Sequence, residues 1–414
     1  MKRLTIIIAL LWTTVSVWAN QLKVHEGQST LREAIDKAAP GDTIYISKGH
    51  YREGNIIITK PIALVGIDFP TFDGENKHEV FTVNASDVSI EGLHIINTGM
   101  SSLKDLAAIG VNNASNVWIA NNHIENAFFG IHLANCAGGT IENNRLRTTG
   151  DREQHAGNGI HLWNSRDFTI RGNTVDGHRD GIYFEFVTES KIIGNTSQNN
   201  IRYGLHFMFS HNDEYTHNLF RNNGAGIAVM YSNGVTMTEN QFVQNWGASV
   251  FGLLLKEISG STITRNYFYK NTVGIYMEGC SRSQFQGNEF RENGWAIKLQ
   301  ASCDDNLFER NNFIGNSFDM GTNGSLALNT LKDNHWDKYP GYDLDHNGVG
   351  DIPFHPVTLY SKIVETMPTS VMLWRSFLVF LLDRAERVMP VMTPENVKDD
   401  FPKMTAYDFH SRLK

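Results

Sequence analysis

A repeat of short apolar runs, each followed by an asparagine, organises most of the chain. The asparagines that follow these runs are Asn122, Asn144, Asn173, Asn195, Asn218, Asn240, Asn266, Asn288 and Asn311. Most of their spacings are 22 or 23 residues, and a large apolar residue lies three positions before each one. This pattern indicates one buried strand per repeat. A fixed period of this length is typical of solenoids, in which each coil buries its apolar face against the next.

Each repeat also contains a glycine that begins a second apolar pattern. These glycines are Gly130, Gly159, Gly181, Gly204, Gly226, Gly252 and Gly274. In repeats such as that of Gly204, the first and third residues after the glycine are apolar, which is the alternation of a half-buried strand. A further asparagine column, from Asn200 to Asn316, supports stacked turns. The sequence therefore predicts an all-β fold, a right-handed parallel β-helix. A leucine-rich repeat is the alternative, but its leucine pattern and its helix are missing.

The ends of a solenoid need covers, because open strand edges pair with other chains. Thr30 and Glu33 form a capping-box pattern and predict a helix over about 30–39. The predicted divisions are a signal peptide at 1–19, an N-terminal cap at 20–54, a parallel β-helix at 55–335, an Asp/Gly-rich loop segment at 336–358 and a C-terminal amphipathic helical segment at 359–414.

The C-terminal segment predicts an amphipathic helix between Pro368 and Pro390. Its longest apolar run, 377–382, is far shorter than a membrane span, and Arg375 precedes it. So much exposed apolar surface is expected to dock on a partner. The candidate docking residues are Met372, Leu373, Trp374, Phe377, Leu378, Phe380 and Leu381.

Charge and the N-terminus indicate the compartment and exclude one class of partner. The formal net charge is −8, so nucleic acid is not expected as a partner. Lys2 and Arg3 precede a short apolar stretch, and Val17-Trp18-Ala19 fits a signal-peptide cleavage site. We expect a mature, exported chain that begins at Asn20. An uncleaved anchor is the alternative, and it also leaves the folded part outside the cytoplasm.

The outward positions of the glycine strands carry candidate copper ligands. Because the repeats stack in register, Met208 and Met230 should be neighbours on adjacent coils, with His206 on the same strand face as Met208. Two thioethers and an imidazole favour Cu(I) over harder cations. The sequence thus predicts a surface copper site at His206, Met208 and Met230, with His161 and Glu185 one or two coils away. The alternative is a Met-rich and aromatic surface that packs against a loop or a partner.

The loop segment at 336–358 contains a candidate calcium site. Asp343, Asp345, Asn347 and Asp351 occupy positions 1, 3, 5 and 9 of a calcium-loop pattern, with glycine at position 6. The bidentate glutamate of position 12 is missing. The alternative is a tight loop of Asx-turns without a metal.

The three cysteines fall in one column of the predicted coils. Cys280 and Cys303 lie on adjacent coils, near disulfide distance, while Cys136 lies several coils away. A disulfide between the first two and a column of small buried side chains are both compatible with this pattern.

One turn, 176–181, resembles the acid–base groups of a carbohydrate enzyme. Asp176, His178, Arg179 and Asp180 occupy it, and β-helices often carry polysaccharide lyases, hydrolases or epimerases. No second carboxylate cluster faces this turn in the sequence. An extracytoplasmic enzyme of this kind is the alternative to copper handling, and a scaffold without any metal is another.

The N-terminal "LREAIDKAAPGDTIYISKGHY" and the coil repeats resemble pectin-lyase-like β-helix proteins. Within these, "GLHFMFSHN", "GIAVMYSNGVTMTEN", "NHWDKYPGYDLDHNGVGDIPF" and the apolar C-terminal segment are similar to the NosD family, over essentially the whole mature chain. The resemblance implies a periplasmic, non-enzymatic protein, without catalytic residues, that carries copper for maturation of nitrous oxide reductase. It further implies an ABC transporter (NosF ATPase and NosY permease) and the copper chaperone lipoprotein NosL as partners. The C-terminal segment would dock on the permease and so associate with the membrane.

Overall fold

The computed structural model describes residues 20–101, 104–149, 153, 156–247, 250–324, 328–388 and 397–409. The signal peptide predicted at 1–19 lies outside these residues. The fold is a right-handed parallel β-helix, which confirms the prediction. Each coil passes in turn through sheet 1, sheet 2 and sheet 3, which contain 14, 13 and 12 described strands.

All strand pairs within the three sheets are parallel, so equivalent residues of successive coils lie side by side. Sheet 1 consists of Gln21–Val24, Thr43–Ile46, Ala63–Gly66, Ser89–Glu91, Ser115–Ala120, Ala137–Glu142, Arg166–Arg171, Lys191–Ile193, Glu214–Thr216, Thr236–Thr238, Thr262–Thr264, Gln284–Gln286, Asp304–Glu309 and Leu328–Lys332. Sheet 2 consists of His50–Tyr51, Thr71–Asp73, His94–Ile96, His123–Glu125, Arg145–Arg147, Thr174–Asp176, Thr196–Gln198, Leu219–Arg221, Gln241–Val243, Tyr267–Tyr269, Glu289–Arg291, Asn312–Ile314 and His335–Trp336. Sheet 3 consists of Ile56–Ile58, Phe81–Val83, Ala107–Asn112, Phe129–Ala134, Ile160–Trp163, Asp180–Glu185, Tyr203–Met208, Ala225–Met230, Phe251–Lys256, Val273–Glu278, Trp295–Leu299 and Phe318–Gly321.

The predicted asparagine columns are hydrogen-bonded ladders. From Asn122 to Asn311, each side-chain amide donates to Oδ1 of the next asparagine at 2.9–3.1 Å. The same amides also donate to main-chain carbonyls, so these buried polar side chains are satisfied inside the turns. The ladder ends at Asn334, whose main-chain N and Nδ2 both donate to Asp399 at 2.9 Å.

The N-terminal cap contains the predicted helix, Leu31–Lys37. Its capping box between Thr30 and Glu33 is present, and Leu31, Ala34 and Ile35 are buried under it. The strand Gln21–Val24 already pairs in sheet 1. The β-helix therefore begins inside the region predicted as a cap, because the first coils depart from the regular period.

The C-terminal segment differs from the single helix predicted between the two prolines. It contains the helix Leu359–Thr366, a 3₁₀ helix at Pro368–Leu373 and the helix Phe377–Val388. The interruption falls at Arg375, whose φ of 62° is incompatible with a continuous α-helix. Among the described helices, none is long and apolar enough to cross a membrane.

Residues 397–409 return to the end of the β-helix instead of continuing the helical segment. Asp399 and Lys403 form bridges to Leu331 and His335, the last coil of sheets 1 and 2. Asp399 is fully buried and also accepts a hydrogen bond from Trp336 Nε1 at 3.1 Å. This return covers the open end of the solenoid, a role that the prediction of a helical docking segment over 359–414 did not include.

Candidate copper site on the outer face of sheet 3

Met208 and Met230 lie side by side on adjacent strands of sheet 3, as the register predicted. The Cα partners along this column are Glu185, Met208, Met230 and then Lys256. Adjacent parallel strands are about 4.8 Å apart, so both thioethers can reach one ion placed between their coils. Both methionines are half-buried, and Glu185 completes the column on the preceding coil. The two sulfur ligands of the prediction are thus brought together.

His206 lies on the same outward face but is buried, and the prediction that it faces solvent was wrong. Its exposed fraction is 6%. The rings of Tyr183 and Tyr203 flank it, with centroid distances of 5.0 and 4.7 Å. Arg202 lies beside Nδ1 at 3.4 Å. Arg202 and Tyr203, at the start of its strand, and Tyr183 of the neighbouring coil bury the ring. The alternation of inward and outward positions does not reveal these contacts.

Asp180 and Arg202 form an ion pair next to His206, with the Asp180 side chain buried and the Arg202 side chain partly exposed. Arg202 donates to Asp180 from Nε at 3.0 Å and from Nη2 at 2.7 Å, and Asp180 is fully buried. His206 Nδ1 lies 3.7 Å from Asp180 Oδ2. Burial alone would raise the pKa of Asp180, but hydrogen bonding to His206 and the charge of Arg202 outweigh burial and lower it.

The other ring nitrogen of His206 is buried and unsatisfied. Nε2 is buried and has no hydrogen-bond partner among the described residues. A carboxylate on one side of an imidazole commonly fixes the ring so that the opposite nitrogen can bind a metal. Asp180 lies 3.7 Å from the Nδ1 side of the ring, so His206 stays a candidate ligand on the outward face that carries Met208.

His161 is separated from His206 by one intervening coil. The register runs His132, His161, Tyr183, His206, and the ring centroids are 4.7, 4.7 and 5.0 Å apart. Two coil steps amount to about 10 Å. Hence the structure places Glu185, Met208 and Met230 in one column and His206 in the neighbouring column, while His161 lies two coils from His206.

The buried imidazole of His161 is nevertheless unprotonated and unpaired. Burial, helped by His132 and Arg179, holds the pKa of His161 well below its ordinary value. Both of its ring nitrogens lack hydrogen-bond partners among the residues described. His132 lines an open cleft of about 380 Å³ together with Asn55, Glu79 and Lys104. The row of imidazoles thus reaches solvent at its His132 end.

The thioethers are essential to any metal site here. In the described part of the chain, no group of three or more His, Cys, Asp or Glu side chains is arranged to hold a metal ion.

The family description "NosD: Periplasmic copper-binding protein (NosD)" matches residues 147–343, which include all five predicted copper ligands. A protein of Pseudomonas aeruginosa named "Probable ABC transporter binding protein NosD" is 30% identical over 394 residues, 90% of each chain.

The chain belongs to the NosD family. A second relative with the same name, from Stutzerimonas stutzeri, is 26% identical over 376 residues, covering 86% of this chain and 85% of the relative. This membership confirms the resemblance inferred from the repeats, the loop and the apolar C-terminal segment.

Solved structures share the fold of this NosD-family chain. The adhesin PfbA of Streptococcus pneumoniae superposes with a TM-score of 0.55 at 14% identity, covering 74% of this chain and 87% of the adhesin. DFA-IIIase of Arthrobacter chlorophenolicus without its lid gives 0.57 at 14% identity, covering 79% and 97%. An adhesin and an enzyme on one scaffold show that the β-helix alone does not determine function.

The predicted carbohydrate-enzyme turn does not form an accessible acid–base pair. Asp176 accepts from the amides of Gln198 and Asn199, both at 3.0 Å. His178 is fully buried, with a pKa lowered to about 4 by burial, and Asp180 is fully buried against Arg202. A polymer outside the coil cannot contact the latter two side chains.

The calcium-loop residues are engaged with their own loop. Asp343 accepts from the main-chain N of Asn347 at 3.0 Å and of Gly348 at 2.8 Å. Asp345 Oδ2 accepts from Asn347 Nδ2 at 2.8 Å, and Asp351 accepts from the main-chain N of Leu344 at 2.7 Å. These are Asx-turn contacts of the alternative interpretation, and calcium binding stays a prediction.

The cysteine column has the predicted register. Cys280 main-chain N donates to Cys303 Sγ at 3.4 Å, so the two lie on adjacent coils. All three cysteines are buried free thiols. The structure thus corresponds to the column of small buried side chains.

The seven predicted docking residues are all exposed, from 36% at Trp374 to 87% at Met372. The helices that carry them are held on sheet 3 by other side chains. Tyr360, Val364 and Val379 pack against Trp295 and Phe318. An exposed apolar surface therefore lies on helices that pack against sheet 3, and its docking role stays a prediction.

Sequence reasoning missed an exposed aromatic ridge beside the methionines, formed by Phe186, Phe209 and Tyr231. Each of them directly follows a member of the Glu185–Met208–Met230 column. Their rings stack at 5.2 and 5.1 Å with interplanar angles of 11° and 12°. A signal was available in the sequence, because the fifth position after the column glycine is aromatic in three successive coils.

The aromatic ridge has an unusual backbone. Phe186, Phe209 and Tyr231 have φ values of 55°, 51° and 54°, in the left-handed region. Equivalent positions elsewhere are Asn135, Asn164, Glu257 and Gly279, and asparagine and glycine adopt this region more readily than an aromatic residue. The left-handed backbone costs about 1–2 kcal/mol per residue, which stacking at about 0.5–1.5 kcal/mol per ring pair only partly offsets. Asparagine or glycine would fit the local backbone of these three positions with less strain.

Proposed function

We propose that this chain is a periplasmic accessory protein that accepts and delivers Cu(I) for maturation of the copper centre of nitrous oxide reductase. It would work with an ABC transporter, NosF and NosY, and receive copper from the chaperone NosL. The observation that carries the proposal is the pairing of Met208 and Met230 on adjacent coils, with the buried, unsatisfied Nε2 of His206 on the same outward face.

The chemistry of this ligand set favours a soft, transferable ion. Thioethers bind Cu(I) in preference to harder divalent cations, and a neutral imidazole complements them. The ligands come from two half-buried methionines at the surface, so a partner protein can approach the ion directly. Glu185, next to Met208, and His161, farther along the row, would be supporting ligands or a second position for the ion.

A Cu(I) titration under anaerobic conditions, in competition with a chromophoric Cu(I) chelator, tests the site. Met208→Leu/Met230→Leu removes both sulfurs at nearly constant volume, so the fold should persist. We expect affinity to fall at least about tenfold, equivalent to about 1.4 kcal/mol. Met100→Leu is the matched control, because Met100 is an exposed methionine outside the site. Unchanged affinity in the double variant would remove these residues from the copper site.

The transporter contact is proposed for the exposed C-terminal helices. Deleting the whole segment would be a poor test, because Asp399 covers the end of the β-helix. Met372→Ser/Phe377→Ser/Phe380→Ser changes only exposed side chains and should preserve stability. We expect this variant to lose co-purification with the NosY permease. Leu344→Ser, at a side chain that is 75% exposed in the loop segment, is the control and should retain it. Equal recovery of both variants would refute the docking role.

A further inference from the structure

The aromatic ridge beside the methionines is exposed, and its rings lie where other coils have asparagine, glutamate or glycine. Phe186, Phe209 and Tyr231 occupy left-handed turn positions and remain 36–47% exposed. Each ridge residue is the chain neighbour of Glu185, Met208 or Met230. Any protein that approaches the paired thioethers from solvent must therefore pass close to these rings.

We propose that the aromatic ridge docks the protein that delivers Cu(I), which presents an apolar groove edged by lysine or arginine side chains. This inference rests on the proposed function, since it assigns the donor's contact to the same surface. The ridge would fill the groove and place the donor's ion over Met208 and Met230.

The charges around the ridge indicate the basic edges of the partner. Glu185, Glu189 and Glu257 lie next to it or in its column, and none forms an ion pair within the described ranges. The nearby Lys256 is already paired with Glu278 at 3.3 Å, and Lys191 with Glu214 at 3.7 Å. An acidic rim attracts a basic one and accelerates association.

Two other occupants fit this surface less well. A sugar would stack on the face of an aromatic ring, but the near-parallel rings cover each other's faces and expose their edges. A second copy of this chain would bring a like-charged rim against the carboxylates, and each copy carries a net charge of −8. A protein groove accommodates a row of ring edges and avoids both difficulties.

The test uses Phe186→Asn/Phe209→Asn/Tyr231→Asn in the full chain. Asparagine occupies the equivalent left-handed position at Asn164, so the variant should unfold at the same temperature as the wild type or higher. Phe69→Asn is the matched control. Phe69 is also exposed, at 43%, and has a φ of 55°, but it stacks on His123 near the other end of the β-helix.

The probe is Cu(I)-loaded NosL without its lipid, measured by biolayer interferometry at low and high salt. We expect the triple variant to bind it at least tenfold more weakly, while Phe69→Asn binds as the wild type does. Cu(I) affinity in chelator competition should be unchanged in the triple variant, since the metal ligands remain.

Several results would overturn the proposal. They are equal NosL binding by the triple variant, no NosL binding by the wild type, ridge-dependent self-association in ultracentrifugation, or ridge-dependent polysaccharide binding. A wild-type protein that does not bind Cu(I) would instead reject the proposed function. If its NosL binding still depended on the aromatic ridge, the docking surface would be supported independently of the copper site.

Discussion

Asp180 connects the stability of the coil to the candidate copper site, and Asp180→Asn separates its charge from its shape. In the wild type the carboxylate accepts two hydrogen bonds from the Arg202 guanidinium, at 3.0 and 2.7 Å. Hydrogen bonds to charged groups contribute about 1.5–3 kcal/mol, and breaking a buried pair costs about 3–5 kcal/mol. The asparagine carbonyl can keep one weaker bond, and the Arg202 side chain is 34% exposed and so partly hydrated. We therefore expect Asp180→Asn to lower the free energy of unfolding by about 2–3 kcal/mol at pH 7.

The pH dependence of that loss identifies its electrostatic origin. The pKa of Asp180 is lower in the folded protein than its ordinary value, about 3.9 in the unfolded chain. The carboxylate therefore contributes stability above the unfolded pKa and loses that contribution as the pH falls through the folded pKa. The difference between wild type and Asp180→Asn should be constant from about pH 7 to pH 5 and should shrink below about pH 4.

Urea unfolding followed by tryptophan fluorescence at several pH values measures this difference. Asp176→Asn is the control, because its carboxylate accepts only from the neutral amides of Gln198 and Asn199. Asp176→Asn should lower the free energy of unfolding by no more than about 1 kcal/mol. Cu(I) affinity of Asp180→Asn should also fall about tenfold if His206 is a ligand, since the carboxylate 3.7 Å from its Nδ1 loses its charge. Equal stability at pH 7, or a difference independent of pH, would refute the reasoning.

Three further predictions concern the ladder, the thiols and the loop. Asn240→Ala removes four hydrogen bonds of 2.8–3.0 Å and should lower the free energy of unfolding by about 4 kcal/mol in urea titrations. A thiol reagent should modify none of the three cysteines in the folded chain and all three after denaturation, as Cys280 and Cys303 are buried. Saturating Ca²⁺ should raise the Tm of the wild type in calorimetry, but not that of Asp343→Ala, if the calcium prediction holds.

The sequence predicted the register of the coils because a parallel β-helix repeats its geometry with its period. Met208 and Met230 could be placed side by side from spacing alone, since equal positions in successive coils must be neighbours. The period says which face a side chain occupies, but not what packs on that face. His206 is buried by Arg202, which precedes its strand, and by Tyr203, the first residue of that strand; both come before the glycine at which the alternating pattern begins.

Contacts between distant parts of the chain were equally invisible to a local pattern. Asp399 completes the asparagine ladder across 65 residues, and no repeat links it to Asn334. The aromatic ridge was missed for a different reason. Its three members occupy a turn column that the alternating pattern leaves out, although their recurrence at one position per coil is visible in the sequence.

The two carboxylates of the turn 176–181 are not arranged for glycoside hydrolysis. Glycoside hydrolysis commonly needs two carboxyl groups that reach the substrate from either side of the scissile bond. Here Asp180 is fully buried and neutralised by Arg202, while Asp176 is held by amides. The outward face of sheet 3 instead offers the thioethers of Met208 and Met230, with the carboxylate of Glu185 in the same column. Thioethers bind a soft metal and do not transfer protons, which is compatible with the proposed delivery of Cu(I).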